Sequence, residues 1–502
     1  MAEKSIIIIG AGIAGLSAGC YSQMNGYHTQ IFEMHTKPGG VCTSWKRKGY
    51  TIDGCMHWLV GSGPASSFYH IWEELGIMQK HTFIDHEEYW SIEGSNGKSL
   101  VLYADLGRLE SHMKELAPED SDFIEDFVKG LRKLTGFDMP VDKAPELTNI
   151  FDKVKMLFGI LPYLGLMRKW GKMTVSQFTE RFKSPFMREV FLAPLGDLKD
   201  FPIFALMMPL AWLNQKTAGY PLGGSLEFSK TIEKRYLDLG GKVDYKSSVA
   251  KILVENDKAV GIKLADGTEH RADIVISAAD GRTTIFDMLE GKYIDDKIQG
   301  YYDNYSLYPP LLHVAYGVAR TFNELPHSVS GFNLVLDEPI NIAGKELTRL
   351  PLHVYNFDPS LAPKGKTVLK FMISTEWEYW SELYKDPERY KAEKERLANE
   401  LLSILDKRYP GLSEQVEMTD VATPMTWVRY TGNWKGSYEG WMEVSFGLGK
   451  RMSKTLPRLK NFYMVGQWVE PGGGLPPAAM SGRNVTQIIC KQDRRPFVTT
   501  TP

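Results

Sequence analysis

The stretch SIIIIGAGIAGLSAG, residues 5–19, decides the fold. Its run of isoleucines carries no charge and reads as a strand buried on both faces. Gly10, Gly12 and Gly15 follow as GxGxxG. Gly10 lets the chain turn out of the strand, Gly12 leaves no side chain in front of a phosphate, and Gly15 lets the next helix pack on the strand. That helix, IAGLSAGCYSQMNG, opens at Ile13 and Ala14, whose N–H groups and positive dipole end suit phosphate oxygens. It stops at Gly26, and HTQIFEM forms a second strand. Glu33, with Met34 beside it, ends that strand, where a carboxylate accepts hydrogen bonds from a ribose. GxGxxG alone is a weak signal. Between an uncharged strand and a helix, and answered by Glu33, it predicts a dinucleotide site.

Gly39 and Gly40, in EMHTKPGGVCTSW, let a second backbone segment approach the pyrophosphate, and Lys37 adds positive charge. Wrapping of this depth points to tightly held FAD rather than NAD. Working outward, the 502 residues allow two or three domains, at roughly 150 residues each. Apolar residues at 43% make a large core available, and a formal net charge of −2 gives no reason to expect nucleic acid as a partner. Cys20, Cys42, Cys55 and Cys490 form no CxxC pair and no zinc-like spacing, so no metal is expected and the thiols read as reduced. MAEKSIIIIGAG does not read as a signal peptide, which makes the expected location cytoplasmic.

The α/β style of the opening returns at 220–295, with YPLGGSLEFSKTIEKRYLDLGG as loop and helix, VAKILVENDKAVGIKLADG as a hairpin, and ADIVISAAD as a buried strand. It returns again at 425–495, where NFYMVGQWVEPGGGLPPAAMSGRN reads as strand, glycine loop and helix. The expected architecture is therefore α/β. A Rossmann-type FAD-binding domain built from 1–105, 220–295 and 425–495 is interleaved with a mixed α+β substrate or lid domain from 106–219 and 296–424. The tail KQDRRPFVTTTP reads as frayed.

Five motifs together resemble one family: IIIIGAGIAGLSAG, E…KPGG, GYTIDGCMHWLVG, YPLGGSLEFSKTI…GGKVDYKSSVAKI and FYMVGQWVEPGGGLPPAAMSGRN. They occur in order over nearly the whole chain. The chain is similar to the FAD-dependent phytoene desaturases, carotenoid isomerases and retinol saturases, relatives of the flavin amine oxidases, with the GR2-like flavoprotein fold. The resemblance implies that Val249 gives backbone contacts to the adenine, and that the segment holding His57 and Trp58 runs past the flavin. It also implies that Gly466 and the loop Gly473-Gly474-Leu475-Pro476 with Ala478 meet the isoalloxazine. One departure is Val41, where the family often has arginine; Lys37 or Lys46 would have to replace that charge.

The physics of the last loop agrees with this. Proline fits the first turn of a helix, and a helix N-terminus aimed at the ring stabilises the negative charge that builds at N1 and C2=O on reduction. Ser481 and Gly482 are small enough to admit a close neighbour. His57 is a candidate proton donor or acceptor, Trp58 a cavity wall, and Arg429 and Tyr430 candidates for lining the active site. FGLGK (446–450) lacks the helix context of a second nucleotide motif.

Two apolar runs, MLFGILPYLGLM (156–167) and FPIFALMMPLAWLNQ (201–215), fall short of the 18 to 20 residues that span a bilayer. Lys153, Lys155, Arg168, Lys169 and Lys172 flank the first, as an interfacial helix requires, although a buried helix lining a cavity is the alternative. The reading is an FAD-dependent oxidoreductase that desaturates, saturates or isomerises a long apolar polyene or isoprenoid lipid, with hydride exchange at flavin N5 and a possible peripheral seat on a membrane. Two rivals stand beside it: an amine-oxidase-like enzyme on a small amine, and a non-catalytic lipid-binding protein like the GDP-dissociation inhibitors of prenylated GTPases. The sequence leaves the oligomeric state open.

Overall fold

The computed structural model describes residues 4–138, 140–194, 199–442, 452–470 and 473–502. A five-stranded parallel sheet has the order Lys242–Asp244, His28–Phe32, Ser5–Ile9, Ile274–Ser277, Phe462–Met464. Its strands come from three distant parts of the chain; the inner ones, such as Ser5–Ile9 and Ile274–Ser277, are uncharged β-branched runs that need cover on both faces. Ile6 and Ile8 pack on one side and Ile7 and Ile9 on the other.

Two helices cross beside this sheet, Ile13–Met24 and the C-terminal Leu475–Gln492. Gly482 sets their approach: a Cβ there would lie 2.5 Å from the Ala18 nitrogen and 2.7 Å from the Ala14 oxygen. The close neighbour expected for Ser481 and Gly482 is thus the first helix. Ser481 Oγ accepts from the Gly466 N–H at 2.8 Å, which fixes the end of the last strand. The tail is held rather than frayed. Asn25 exchanges two hydrogen bonds with the Val498 backbone, and the Phe497 ring lies 6.0 Å from that of Tyr21.

A seven-stranded sheet carries the other half of the molecule, in the order Val416–Ala422, Leu311–Val318, Thr367–Ser374, Lys345–Val354, Phe332–Ile342, Glu88–Glu93, Ser99–Tyr103. Its last two strands are a hairpin from within the 1–105 segment assigned above to the dinucleotide domain. Their alternating apolar face joins the core of the helical region, which includes Ile92, Leu100 and Leu102. One face of the sheet packs on the helix Pro387–Arg408 through Leu352, Leu369, Phe371, Leu397 and Leu401. The other face looks toward the chain that leaves the nucleotide loops.

The helical region between 106 and 214 treats its two apolar runs differently. Phe204–Asn214 is buried, with Leu206, Met207, Leu210 and Leu213 all inside. Ile150–Ile160 buries none of its residues. Among the described residues no helix is long and apolar enough to cross a membrane.

Candidate active site

The nucleotide end is built from two glycine loops laid against each other. Gly12 bridges Gly39, and the Gly39 N–H donates to the Ala11 carbonyl at 2.9 Å. A Cβ on Gly15 would lie 2.0 Å from the Gly10 oxygen, so no larger residue fits between strand and helix. A Cβ on Gly40 would stand 3.4 Å from the Gly12 Cα and fill the cradle between the loops. No side chain caps the helix N-terminus at Gly12. An uncapped helix N-terminus facing a side-chain-free cradle fits a pyrophosphate. Glu33 is buried at the rim, accepting from the Ala11 N–H at 2.7 Å and the His35 N–H at 2.8 Å. Burial pushes its carboxyl above the usual range, against those two bonds. Remaining lone pairs on this carboxylate suit ribose hydroxyls.

Lys37 does not supply the missing basic contact at the pyrophosphate. Its ammonium donates to the Ser44 carbonyl at 2.8 Å, and Lys46 is exposed on the following hairpin. Ile13, Ala14 and Val249 are buried and Val41 is half-buried, while Met34 is largely exposed. Of the C-terminal glycine run, Gly472 lies outside the described residues, as does FGLGK. Gly473 and Gly474 both take the left-handed conformation, at φ +63° and +77°. They lead directly into Leu475, Pro476 and Ala478 at the start of the last helix, and Gly466 lies against Ala14. The first and last loops therefore meet at one helix crossing, as expected for two halves of one site.

From Gly40 the chain passes through the hairpin Ser44–Arg47 and Tyr50–Asp53 into Gly54-Cys55-Met56-His57. The Asp53 carboxylate anchors that turn, accepting from the N–H groups of Cys55 and Met56 and from the backbone and hydroxyl of Ser225. Lys370 Nζ donates to the Asp53 carbonyl at 2.7 Å, joining the turn to the large sheet. Lys370 is opposite Ala315 on one side and His353 on the other, so these side chains share the sheet face turned to the flavin segment. His313 stands two residues before Ala315 on that face, with its ring 5.1 Å from Trp427.

His57 stacks on His353 at 4.6 Å and 11° between planes. Burial, with Lys370 nearby, pushes His57 down to about 3; burial likewise drives His313 and His353 well below the ordinary range. Lys370 is itself pushed down to about 8 by burial, opposed by the Asp53 charge. All three imidazoles are thus neutral bases near neutral pH. A crevice too tight to admit a water molecule is lined by Met56, His57, Tyr220, Val329, His353 and Phe357, together with Ser328, Val354 and Tyr355. His57 Nε2, Tyr355 Oη and both ring nitrogens of His313 have no hydrogen-bond partner among the described residues. Each such orphan costs about 1–3 kcal/mol.

His57 therefore lies in this lining, at the turn that follows the nucleotide loops. Trp58 packs edge-on to Tyr89 at 5.8 Å, as a wall toward the helical region. Arg429 and Tyr430 do not line this cavity. They are exposed at the end of Pro424–Thr431, where the Arg429 guanidinium stacks 4.5 Å over the Tyr430 ring and that ring abuts His35. On a helix that buries Trp427, positions 429 and 430 point to solvent. The sequence reading missed His313, His353, Lys370 and Tyr355. For His313 and Lys370 the signal was a basic residue inside an apolar strand, in LLHVAYGVA and TVLKFMIS.

The glycine cradle, the buried Glu33 beside it and the parallel sheet are the architecture of a flavoprotein oxidoreductase. Residues 13–490 match the family described as flavin containing amine oxidoreductase, and the chain belongs to that family. It is an FAD-dependent oxidoreductase. Prolycopene isomerase from Arabidopsis thaliana is 25% identical over 95% of this chain and 81% of the relative. The neurosporene-forming phytoene desaturase of Rhodobacter capsulatus is 23% identical over 96% of this chain and 93% of the relative. The fold recurs in an oxidoreductase from Methanosarcina mazei, at TM-score 0.58 and 17% identity over 96% of this chain and all (100%) of that one. It recurs also in putrescine oxidase bound to putrescine, at TM-score 0.58 and 13% identity, covering 97% of this chain and 99% of the other.

Proposed function

We propose that the protein acts on the C–C double bonds of a long apolar polyene or isoprenoid lipid, by desaturation, saturation or cis–trans isomerisation. The observation that carries this reading is the cavity lining, which holds aromatic and apolar side chains, neutral imidazoles and no carboxylate. An amine substrate enters as a cation or must be held near anions, and a lysine beside neutral histidines is the wrong electrostatic setting for it. The names of the isomerase and desaturase relatives point the same way.

Bound flavin supplies hydride exchange at N5. The chain supplies the rest. In desaturation, one hydrogen leaves carbon as hydride and the neighbouring carbon gives up a proton as the double bond forms. His57, whose Nε2 has no hydrogen-bond partner among the described residues, lines the crevice and can relay that proton, though burial beside Lys370 leaves it only weakly basic; saturation runs the same transfer backward. Met56, Phe357 and Val329 keep water from the reacting carbons.

Access is proposed from a membrane surface. Eight of the fourteen large apolar side chains exposed among the described residues lie between Ile150 and Leu164, led by Phe151 at 80% and Phe158 at 67%. Exposed Lys153, Lys155, Arg168 and Lys172 surround them. Lys169 is held by Asp126, so it leaves this set.

Lipid extraction and mass spectrometry of the purified yellow protein test the reading. A long apolar isoprenoid should come off with the flavin. A flavin-loaded preparation that yields none, and that oxidises a small amine, would sink it. For the cofactor contact, Gly474→Val is expected to lower flavin content. The flavin-free protein should also lose about 1–3 kcal/mol of unfolding free energy, because Gly474 holds φ +77° and ψ −174°, a conformation a β-branched residue adopts only with strain, although a Cβ there meets nothing nearer than Pro476 Cδ at 3.9 Å.

A further inference from the structure

We propose that Glu439 carries the proton of the reaction at the flavin, taking it from carbon in desaturation and giving it back in saturation. This rests on the polyene or isoprenoid reading and names the acid–base group that reading needs. Glu439 stands in a tight turn at 437–440. The Ser437 hydroxyl accepts from the Gly440 N–H at 3.1 Å, and the Gly440 carbonyl accepts from the Tyr308 N–H at 3.0 Å. A Cβ on Gly440 would stand 3.2 Å from the Gln467 carbonyl oxygen, so the turn is pressed against the chain just beyond Gly466. From there the glutamate reaches the C-terminal glycine loop: a Cβ on Gly473 would lie 2.8 Å from Glu439 Oε2. Its charge is also felt at Cys55, two residues before His57. Glu439 is therefore close to both segments expected to meet the flavin, Gly473-Gly474 and the turn at His57.

The Glu439 carboxyl is half-buried and has no hydrogen-bond or ion-pair partner among the described residues. Burial pushes it up to about 7. Proton transfer is most effective from a group that titrates near the working pH. The neighbouring groups do not compete. His57 is too weakly basic to keep a proton near neutral pH. The Asp53 carboxylate is taken by four donors, and Lys370 by the Asp53 carbonyl. Cys55 is raised by its hydrogen bond with Cys42 and by burial, and Tyr438 by burial and by Glu439, so both stay neutral. In desaturation one carbon gives hydride to bound flavin, and the Glu439 carboxylate takes a proton from its neighbour. The C–H electron pair left behind becomes the new double bond. The acid so formed, half-open to solvent, returns its proton there.

The test uses the flavin-loaded protein. Absorption of the oxidised flavin, followed across neutral pH, should show a step centred near 7 as Glu439 ionises. Glu439→Gln should abolish that step with flavin content unchanged. In the same variant kcat on a polyene presented in vesicles should fall about 100-fold or more. Should Glu439→Gln not fold, Glu439→Asp takes its place and should shift the centre of the step. No step in the unmodified protein, or the same step in the variant, would overturn this inference. Full polyene turnover by Glu439→Gln would overturn it too and leave the polyene reading intact. A polyene returned unaltered by the unmodified protein, with the Glu439-dependent step present, would sink the polyene reading and leave Glu439 as the proton carrier of a different flavin reaction.

Discussion

Residues 150–164 and 204–214 are equally apolar to the eye, yet one lies on the surface and the other in the core. The difference lies in the charges threaded through them. Phe204–Asn214 contains no ionisable residue and is apolar all round, so every face seeks cover, and it packs on Ser121–Leu134 beside Trp170. Ile150–Ile160 carries Asp152, Lys153 and Lys155 and starts with a capping box between Asn149 and Asp152, so the helix is formed without burial. Its near end is tied to Lys143 by the Asp152 ion pair, and its far end is moored where Tyr163 donates to the Gly136 carbonyl and Leu166 and Trp170 turn inward. Apolar bulk alone therefore does not separate a core helix from an exposed one. Interleaved cations do.

The strongest way to break this contrast is to put the same charge in both helices. Met207→Asp buries a carboxylate with no partner and should cost about 4 kcal/mol or more in urea unfolding. Phe158→Asp should stay within about 0.5 kcal/mol. Comparable losses in the two would mean that 150–160 is core after all. Next, Phe151→Ser with Phe158→Ser should weaken liposome binding by about 3–6 kcal/mol, because each ring buries about 1.5–3 kcal/mol of apolar surface. Unchanged flotation with vesicles would remove the membrane from the account.

Replacing Lys153, Lys155, Arg168 and Lys172 with Gln should then matter only on anionic vesicles. The loss should be about 1 kcal/mol per cation and should fade with salt. Adding Lys169→Gln should do little more, since Asp126 already holds that ammonium.

The smallest effect sharpens a second contrast, between buried and ordinary histidines. His86 is buried with neither ring nitrogen paired and is pushed down to about 4 by burial. Unfolded, it takes a proton near its ordinary value of about 6.5. The folded state refuses that proton, so stability is fullest above pH ~6.5 and falls as pH drops toward 4. His86→Leu should therefore lose less stability than the parent between pH 6.5 and 5.5, by about 1 kcal/mol. Glu439, raised to about 7 by burial, pulls the other way over part of this range, which is why the comparison is made against the parent protein. Identical pH slopes would show that His86 is reached by solvent.

The nucleotide half was legible because its chemistry is written in adjacent residues. Gly10, Gly12, Gly15 and Glu33 announce a strand, a turn and a ribose acid within one βαβ unit, and the packing at Gly15 and the placing of Glu33 agree. The crevice at the large sheet was legible only at His57. His313, His353 and Lys370 come from three separate strands and become neighbours only through the register that sets Lys370 opposite Ala315 and His353. No local pattern encodes that register. Arg429 and Tyr430 were misjudged for the related reason that a helix face cannot be assigned without knowing what covers it. Trp427 takes the inward position instead.

The most direct measurement is turnover of a polyene presented in vesicles by flavin-loaded protein, with the products separated and their double bonds counted and their geometry assigned. Double-bond number or geometry should change, and the change should vanish when the flavin is stripped. A polyene returned unaltered, together with peroxide release on addition of a small primary amine, would contradict the proposed function.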